Sequence, residues 1–293
     1  MTKDEKEIVY GIYTGILTNF GDFKGKEILE FEYDFNCPEY KELIEKYNLK
    51  RIAGKGSSFE RAKRLLNYFS RRLYHSSWYD NHIECNALKL LEYSFCNKEQ
   101  GINCLNKSKI LEEVCLAVGI YARRVGIMPF SPYDLDTHVV IEMFDEQMNK
   151  WIMMDPTTNG YFINENKTPL SIMEIRKLMA EQKFVTFVRS SDKLDDIYKL
   201  KEKRKDTNIY ISKNMFRFSY EKYNGFGLKS GGMNYSPRNY SIMDNLNKNR
   251  IYKLNNIPPE CESIRDEIEK QFEICTKEPP CGDIKFILES PIK

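Results

Sequence analysis

The chain has 293 residues, and 41% of them are apolar, which is enough for a sizeable core in one large domain or two small ones. Its charge is nearly balanced, with 45 basic and 43 acidic residues. This balance argues against the strongly basic surface of a protein that binds nucleic acid or an anionic membrane.

The N-terminal stretch carries acidic residues and lacks an apolar segment of signal-peptide length. No run of about 18 apolar residues predicts a transmembrane helix. We therefore expect a cytoplasmic protein with no nucleic-acid or membrane partner. The frequent Lys, Asn and Ile residues are a weak indication of a bacterial source.

The first hundred residues predict one strand and three helices. Pro38 suits the opening of a helix, and Ser57 followed by Glu60 forms a capping-box pattern that opens another. The polar stretch at 75–83 is expected to be a loop, with His75 and His82 at the surface. The predicted elements are a strand at 26–35 and helices at 38–49, 57–74 and 86–95.

The rest of the chain predicts further helices and strands. Apolar residues after Cys104 recur on one helical face until Gly119, a natural C-terminal stop. The glycine-rich stretch 225–241 predicts a long surface loop. Helices are predicted from 104 to 118, 171 to 182, 192 to 205 and 260 to 275, and strands at 120–129, 137–144, 150–154 and 283–288.

The eight cysteines do not form a zinc-binding motif. No CxxC occurs, and the three histidines do not cluster with cysteines at zinc-finger spacing. We therefore expect no metal, and most of the cysteines besides Cys104 should be free, buried thiols. The eight are Cys37, Cys85, Cys96, Cys104, Cys115, Cys261, Cys275 and Cys281.

Cys104 stands where a thiol can be activated. A helix N-terminus presents unpaired N–H groups and the positive end of the helix dipole, and both favour the thiolate. Asn103 suits the N-cap and would make Cys104 the first helical residue. If Ser108 were the cap instead, the helix would begin a turn later and Cys104 would lie in a loop.

His138 and Asp155 are predicted to meet across a β-hairpin. Pairing Phe144 with Asn149 or with Lys150 places Asp155 opposite His138 or one residue away. Directly opposed side chains share a face of the sheet, with Cβ atoms roughly 4.5–5.5 Å apart. A slip of one residue would put the two side chains on opposite faces.

These residues supply the parts of a cysteine nucleophile: Cys104 to attack, His138 as base, and Asp155 to orient the imidazole and stabilise its charged form. Asp134 and Asp136 are rival partners for His138. The backbone N–H of Cys104 is an expected donor to an oxyanion. The candidates for a second donor are Trp78, Gln100 and Asn103.

The surrounding motifs resemble the transglutaminase-like superfamily. The run from Gly101 to Arg123, with THVV and KWIMMDPT, carries the resemblance. NALKLLEYSF, GINC, PYDLDTHVVIEMF, KWIMMDPTTNGYFINE, TPLSIMEIR and KNMFRF are similar to uncharacterised bacterial transglutaminase-like proteins, over about residues 83–220. The resemblance implies a papain-like α+β fold, with the Cys helix packed on an antiparallel sheet.

By the same resemblance, Cys104, His138 and Asp155 are nucleophile, base and orienter. Many relatives have Arg directly after the Cys, where this chain has Leu105. That change leaves the three residues in place but alters a substrate or structural contact. We expect one compact unit with an N-terminal elaboration (1–82), a catalytic core (83–220) and a C-terminal extension (221–293).

The predicted function is hydrolysis of a peptide or isopeptide amide through a thioester, with a protein or peptide substrate and no cofactor. Transfer of the acyl group to an amine uses the same chemistry, since water and amine compete for one thioester. A non-catalytic module that binds protein or glycan is the alternative from another class. A thiol redox protein is disfavoured because no CxxC occurs.

Overall fold

The computed structural model describes residues 1–23, 25, 27–96, 99–131, 134–237, 254–256, 258, 261–275 and 282–292. Within these ranges the chain is a mixed α+β fold, built on a seven-stranded antiparallel sheet. None of the helices in these ranges combines the length and the apolar character needed to cross a membrane.

The elements follow in chain order. The helices are α1 Lys3–Asn19, α2 Glu39–Tyr47, α3 Leu49–Ala53, α4 Ser58–Ser70, α5 Ala87–Cys96, α6 Cys104–Ala117, α7 Ile172–Ala180, α8 Ile197–Lys203, α9 Lys205–Asn214, α10 Glu262–Cys275 and α11 Lys285–Leu288. The strands are β1 Glu32–Tyr33, β2 Ala122–Met128, β3 His138–Asp145, β4 Lys150–Asp155, β5 Gly160–Asn164, β6 Val185–Arg189, β7 Arg217–Glu221, β8 Tyr223–Asn224 and β9 Gly232–Tyr235.

The large sheet has the strand order β6-β5-β4-β3-β2-β7-β9, and β1 pairs with β8 in a separate parallel pair. Helices cover both faces of the large sheet, so β3 and β4 at its centre are buried along almost their whole length. This explains why both strands read as nearly continuous apolar runs rather than as an alternating pattern.

Two hydrophobic clusters lie on opposite faces of the sheet, because successive strand residues point to opposite sides. Ile141 and Met154 belong to the cluster built with α2, α4, α5 and α6. Val140 and Met153 belong to the cluster built with α1, α7 and α9. Helix α6 is the most enclosed helix on its face, since the whole stretch from Asn106 to Leu116 is buried.

The β3–β4 hairpin forms as predicted, but in a different register. Phe144 pairs with Trp151, so the predicted pairing of Phe144 with Asn149 or Lys150 is wrong. Asp145 pairs with Lys150, so the tip consists of residues 146–149. In this turn Asn149 adopts a left-handed conformation at φ 48°, and the Asp145 carboxylate accepts a hydrogen bond from the Met148 N–H at 2.9 Å.

The predicted strand at 283–288 is wrong, because residues Lys285–Leu288 form helix α11. The Asp283 carboxylate accepts a hydrogen bond from the Lys285 N–H at 3.0 Å, which favours a turn over extended backbone. Arg123 and the Trp151 Nε1–H then donate to the carbonyls of Ile287 and Glu289.

Other elements are shorter than predicted or were missed. The strand at 26–35 is reduced to β1, and the helix at 192–205 begins only at Ile197. Strand β9 lies inside the predicted loop 225–241, of which residues 238–241 fall outside the described residues. Helix α1 and strands β5 to β7 were not predicted from the sequence.

The described cysteines are free, as expected, but fewer are buried than predicted. Cys37 and Cys115 are buried, whereas Cys85 and Cys261 are half-buried and Cys96 is exposed. The Cys275 side chain and all of Cys281 lie outside what the structure describes.

Candidate functional site

Cys104 is the first residue of α6, as predicted. Asn103 is extended, at φ −82° and ψ 179°, and its side-chain oxygen accepts a hydrogen bond from the Asn106 N–H at 3.2 Å. Ser108 lies inside the helix, where its hydroxyl donates to the Val139 carbonyl at 2.8 Å. The cap at Asn103 is therefore confirmed, and the later start at Ser108 is wrong.

The residues before Cys104 pack tightly against the 75–83 loop. Ser76 N–H donates to the Ile102 carbonyl at 3.1 Å, and Ile102 N–H donates to the Tyr74 carbonyl at 3.2 Å. A Cβ atom on Gly101 would lie only 2.7 Å from the His75 carbonyl carbon, so this close approach requires glycine. The loop thus fixes where α6 begins.

His138 begins β3, and Asp155 ends β4. The imidazole is only 4% exposed and Asp155 is fully buried. His138 Nε2 lies 3.1 Å from Asp155 Oδ2, within hydrogen-bond distance. Asp155 and His138 therefore meet, although the register differs from the predicted one.

The Asp155 carboxylate is held by the residues that follow it. Its Oδ1 accepts hydrogen bonds from the Thr157 N–H at 2.8 Å and the Thr158 N–H at 3.3 Å. The Thr158 hydroxyl donates to Oδ2 at 2.6 Å. Sequence reasoning missed Thr158, although an Asp followed by Pro-Thr-Thr is typical of an Asp side chain that bonds its own following backbone.

The Cys104 thiol is half-buried and interacts with the His138 imidazole. Burial raises the pKa of this thiol, but the imidazole hydrogen bond, the imidazole charge and the Val139 backbone outweigh burial, and the net pKa lies below that of an ordinary thiol. Because Nε2 is taken by Asp155, Nδ1 is the ring nitrogen left for the thiol.

The same interactions act on the other two groups. Burial lowers the pKa of His138, but the charge and hydrogen bond of Asp155, together with Cys104, raise it to about 10. Burial raises the pKa of Asp155, but His138 and Thr158 bring it below its usual value. The interaction between Cys104 and His138 therefore favours the ionised thiol together with the protonated imidazole.

The rival partners of His138 are occupied elsewhere. Lys213 Nζ lies 3.1 Å from Asp134 Oδ2 and 2.8 Å from Asp136 Oδ2. The Tyr210 hydroxyl donates to Asp136 Oδ1 at 3.2 Å, and its ring lies against the His138 ring. Asp155 therefore carries the contact with His138.

Of the candidates for a second oxyanion donor, Asn103 is already engaged. Its amide nitrogen donates to Asn81 Oδ1 at 3.0 Å, while its oxygen caps α6. The Gln100 side-chain oxygen accepts from the Tyr93 hydroxyl at 2.5 Å. Trp78 is 95% exposed.

His75 and His82 are exposed, as predicted. The His82 imidazole pairs with Asp80 in the same loop. Partial desolvation of the ring and the nearby Lys107 charge lower the pKa of His75.

Lys107 is a buried lysine one turn along α6 from Cys104, and sequence reasoning did not identify it. It is 2% exposed, and its Nζ donates to the Leu73 carbonyl at 2.9 Å. Burial lowers the pKa of Lys107 to about 8, against the opposing effect of the Asp155 charge. Lys107 interacts electrostatically with Asp155, so a titratable cation lies beside the site.

No family model and no curated protein matches this chain. A solved structure that it resembles is the crystal structure of a "Putative Cysteine Protease" from Cytophaga hutchinsonii, with a TM-score of 0.33 and 17% sequence identity. The match spans 43% of this chain and 40% of the other, so the chain covers less than half of the length of that protein.

Proposed function

We propose that this chain is a cysteine-dependent hydrolase of a peptide or isopeptide amide, with a papain-like, transglutaminase-like core. One observation carries the proposal. Cys104 lies at the start of α6 and its thiol interacts electrostatically with His138, whose Nε2 is 3.1 Å from Asp155 Oδ2. Nucleophile, base and orienter in this relation are the requirements for thiol catalysis.

In the first step, the Cys104 thiolate attacks the carbonyl carbon of the amide and forms a C–S bond. The imidazolium of His138 gives its proton to the leaving nitrogen, the C–N bond breaks, and an amine departs. The product is a thioester on Cys104 with a neutral imidazole beside it. Asp155 retains its charge and stabilises the imidazolium before this transfer.

In the second step, neutral His138 takes a proton from water, and the oxygen attacks the thioester carbonyl. The C–S bond breaks, a carboxylic acid leaves, and the Cys104 thiolate and the imidazolium re-form. A primary amine in place of water would give a new amide by the same route. The acceptor therefore decides between hydrolysis and acyl transfer.

The oxyanion of each tetrahedral intermediate needs donors near the sulfur. We assign the first to the backbone N–H of Cys104, because it belongs to the first turn of α6, where N–H groups lack intrahelical acceptors. The Asn103 cap takes the Asn106 N–H, so it does not compete for this donor. Trp78 Nε1 and the Gln100 side-chain amide are the candidates for the second donor, since the Asn103 amide nitrogen is engaged.

The test is an activity screen with peptide libraries, run with and without a primary amine. Wild type is compared with Cys104→Ala and with Cys96→Ala, which removes an exposed thiol in a different helix. We expect cleavage by wild type and Cys96→Ala, and none by Cys104→Ala. Amine-dependent products would identify acyl transfer instead.

A substrate-independent measurement accompanies the screen. Labelling by a thiol-reactive probe at about pH 6 should be far faster at Cys104 than at Cys96, because the lowered pKa of Cys104 increases its thiolate fraction. His138→Ala should slow the labelling of Cys104. Equal labelling of the two thiols, with no turnover, would favour the non-catalytic binding module.

A further inference from the structure

Helix α9 contacts the segment that leads into His138. Tyr210 and Lys213 are three residues apart and lie on the same face of α9. Lys213 Nζ is 3.1 Å from Asp134 Oδ2 and 2.8 Å from Asp136 Oδ2, and the Tyr210 hydroxyl donates to Asp136 Oδ1 at 3.2 Å. Two side chains of α9 thus hold the residues just before β3.

The Tyr210 ring also touches the imidazole directly. The ring centroids of Tyr210 and His138 are 5.5 Å apart, with an interplanar angle of 70°, which is an edge-to-face contact. The imidazole is 4% exposed, so α9 helps to exclude water from it.

The contact with Tyr210 restricts a motion of the His138 ring that its polar partners restrain only weakly, namely tilting of the ring out of its plane. Its partners are Asp155 at Nε2 and the Cys104 thiol. Hydrogen bonds to ring nitrogens are directed near the ring plane, so they fix a ring within that plane but resist its tilting out of the plane only weakly. A ring packed edge-to-face restrains the tilt.

We propose that Tyr210 is a positioning residue for His138, holding the imidazole in line with the Cys104 thiol while Lys213 fixes the segment before it. The inference rests on the proposed function, because it concerns the same thiol–imidazole pair. Tyr210 acts through His138 and does not itself exchange a proton. Its effect should therefore appear in how readily Cys104 ionises.

The titratable groups that face His138 are known from the elements around it. They are Cys104 of α6, Asp155 of β4, Tyr210 of α9 and His75 of the 75–83 loop, and Lys107 of α6 acts on Asp155 and His75. The Tyr210→Leu replacement removes none of the other groups. A change in the pH profile of Cys104 would therefore report on the position of the imidazole.

The experiment measures the rate of Cys104 alkylation by iodoacetamide across pH, with Cys96 as the internal reference thiol. In the Tyr210→Leu variant, iodoacetamide should alkylate Cys104 about 10-fold more slowly than in wild type at about pH 6. A small displacement of a catalytic group has effects of this order or larger. Tyr210→Phe keeps the ring and should change the rate less than about 3-fold.

Two further variants separate positioning from folding. Tyr198→Leu removes an exposed tyrosine of α8 that packs on Phe184, and it should leave the profile unchanged. Lys213→Met releases Asp134 and Asp136 but keeps the Tyr210 ring, and it should slow alkylation by about 3-fold. It tests the inference even if Tyr210→Leu does not fold.

The outcomes distinguish the two proposals. If Cys104 of wild type is alkylated faster than Cys96, and the Tyr210→Leu and Lys213→Met variants show the same pH profile of Cys104 alkylation as wild type, the positioning role alone is overturned. A wild-type Cys104 no faster than Cys96 overturns the proposed function, and the positioning role with it. Lower thermal stability of Tyr210→Leu with an unchanged profile would show a structural role only.

Discussion

Asp155 reaches His138 diagonally across the β3–β4 ladder. Continuing the register of the hairpin, in which Ile141 faces Met154, places Asp155 opposite Val140, two residues along the strand from His138. The Nε2–Oδ2 distance is nevertheless 3.1 Å. A shift of two residues keeps both side chains on one face, whereas a shift of one would have separated them.

A diagonal pair has more freedom than an opposed pair, because its Cα atoms are further apart. The additional hydrogen bonds to Asp155 remove that freedom. Thr157 and Thr158 together give the carboxylate three donors, counting two backbone N–H groups and one hydroxyl. The turn after β4 is therefore part of the site.

Asp155→Asn should abolish most of the activity. The two backbone N–H groups hold the side-chain oxygen at the Oδ1 position, so the new NH₂ group faces His138 Nε2. A donor there favours the tautomer with its proton on Nδ1, which cannot accept the thiol proton. We expect kcat/KM to fall about 10⁴-fold, as in a serine triad.

The matched control is Asp145→Asn, at the other end of the same hairpin. Asp145 is buried and accepts hydrogen bonds from the N–H groups of Phe59 and Met148. Its replacement should lower the free energy of unfolding yet leave kcat/KM of the folded protein near the wild-type value. Equal losses of activity in both variants would refute the role assigned to Asp155.

Thr158→Val removes the hydroxyl that donates to Asp155 Oδ2 at 2.6 Å and conserves the side-chain volume. A hydrogen bond to a charged group contributes about 1.5–3 kcal/mol, so we expect kcat/KM to fall about 10- to 100-fold. Thr158→Ser restores the donor and should recover most of the activity. Steady-state kinetics of the three proteins decide the matter, and failure of serine to rescue would count against it.

The start of α6 and the existence of the hairpin could be predicted because both depend on local signals. Asn103 before an apolar periodic stretch is a local cap, and two apolar runs with a polar tip make a hairpin. The register could not be predicted, since it depends on the left-handed Asn149 in the tip.

Tyr210 could not be found from the sequence for a different reason. It lies about 70 residues from His138 in the chain, on a helix whose packing is a tertiary property. Thr158 could have been found, because its bond to Asp155 is local. Thr158 is placed by an interaction within a few residues of the chain, whereas Tyr210 is placed by tertiary packing, and only the first kind can be predicted from the sequence.

The activity should depend on pH in a bell shape. It rises as Cys104 ionises, at a pH below the pKa of an ordinary thiol, because His138 stabilises the thiolate. It falls as the imidazolium loses its proton near a pKa of about 10. Measurements of kcat/KM against pH test both limbs, and a single limb centred at the pKa of a free thiol would contradict the ion pair.

Gly101→Ala should disturb the start of α6. The added Cβ would lie 2.7 Å from the His75 carbonyl carbon and from the Ser76 nitrogen, and backbone atoms cannot yield locally. We expect a loss of about 1–3 kcal/mol in the free energy of unfolding and slower alkylation of Cys104. Gly15→Ala is the control, since its Cβ meets no atom within 4 Å inside helix α1. Equal stability of the two variants would exclude the tight contact.

Lys107→Met should change how stability depends on pH. Folded Lys107 loses its proton near a pKa of about 8, whereas the unfolded chain keeps it to about 10.4. Between these values the unfolded state binds more protons, so this residue makes stability rise with pH. The rise is at most about 3 kcal/mol, since one pKa unit corresponds to about 1.4 kcal/mol.

Other groups titrate in the same window, so the difference between wild type and Lys107→Met is the quantity to measure. His138, for example, has a raised pKa and loses its stabilising contribution as pH rises toward about 10. Urea unfolding at several pH values between about 7 and 10 gives the difference, with the exposed Lys193→Met as control. Because the pKa of the buried lysine is lowered by burial, the stability of wild type relative to Lys107→Met should increase with pH in this range. Parallel curves would show that Lys107 keeps its charge in the folded protein throughout.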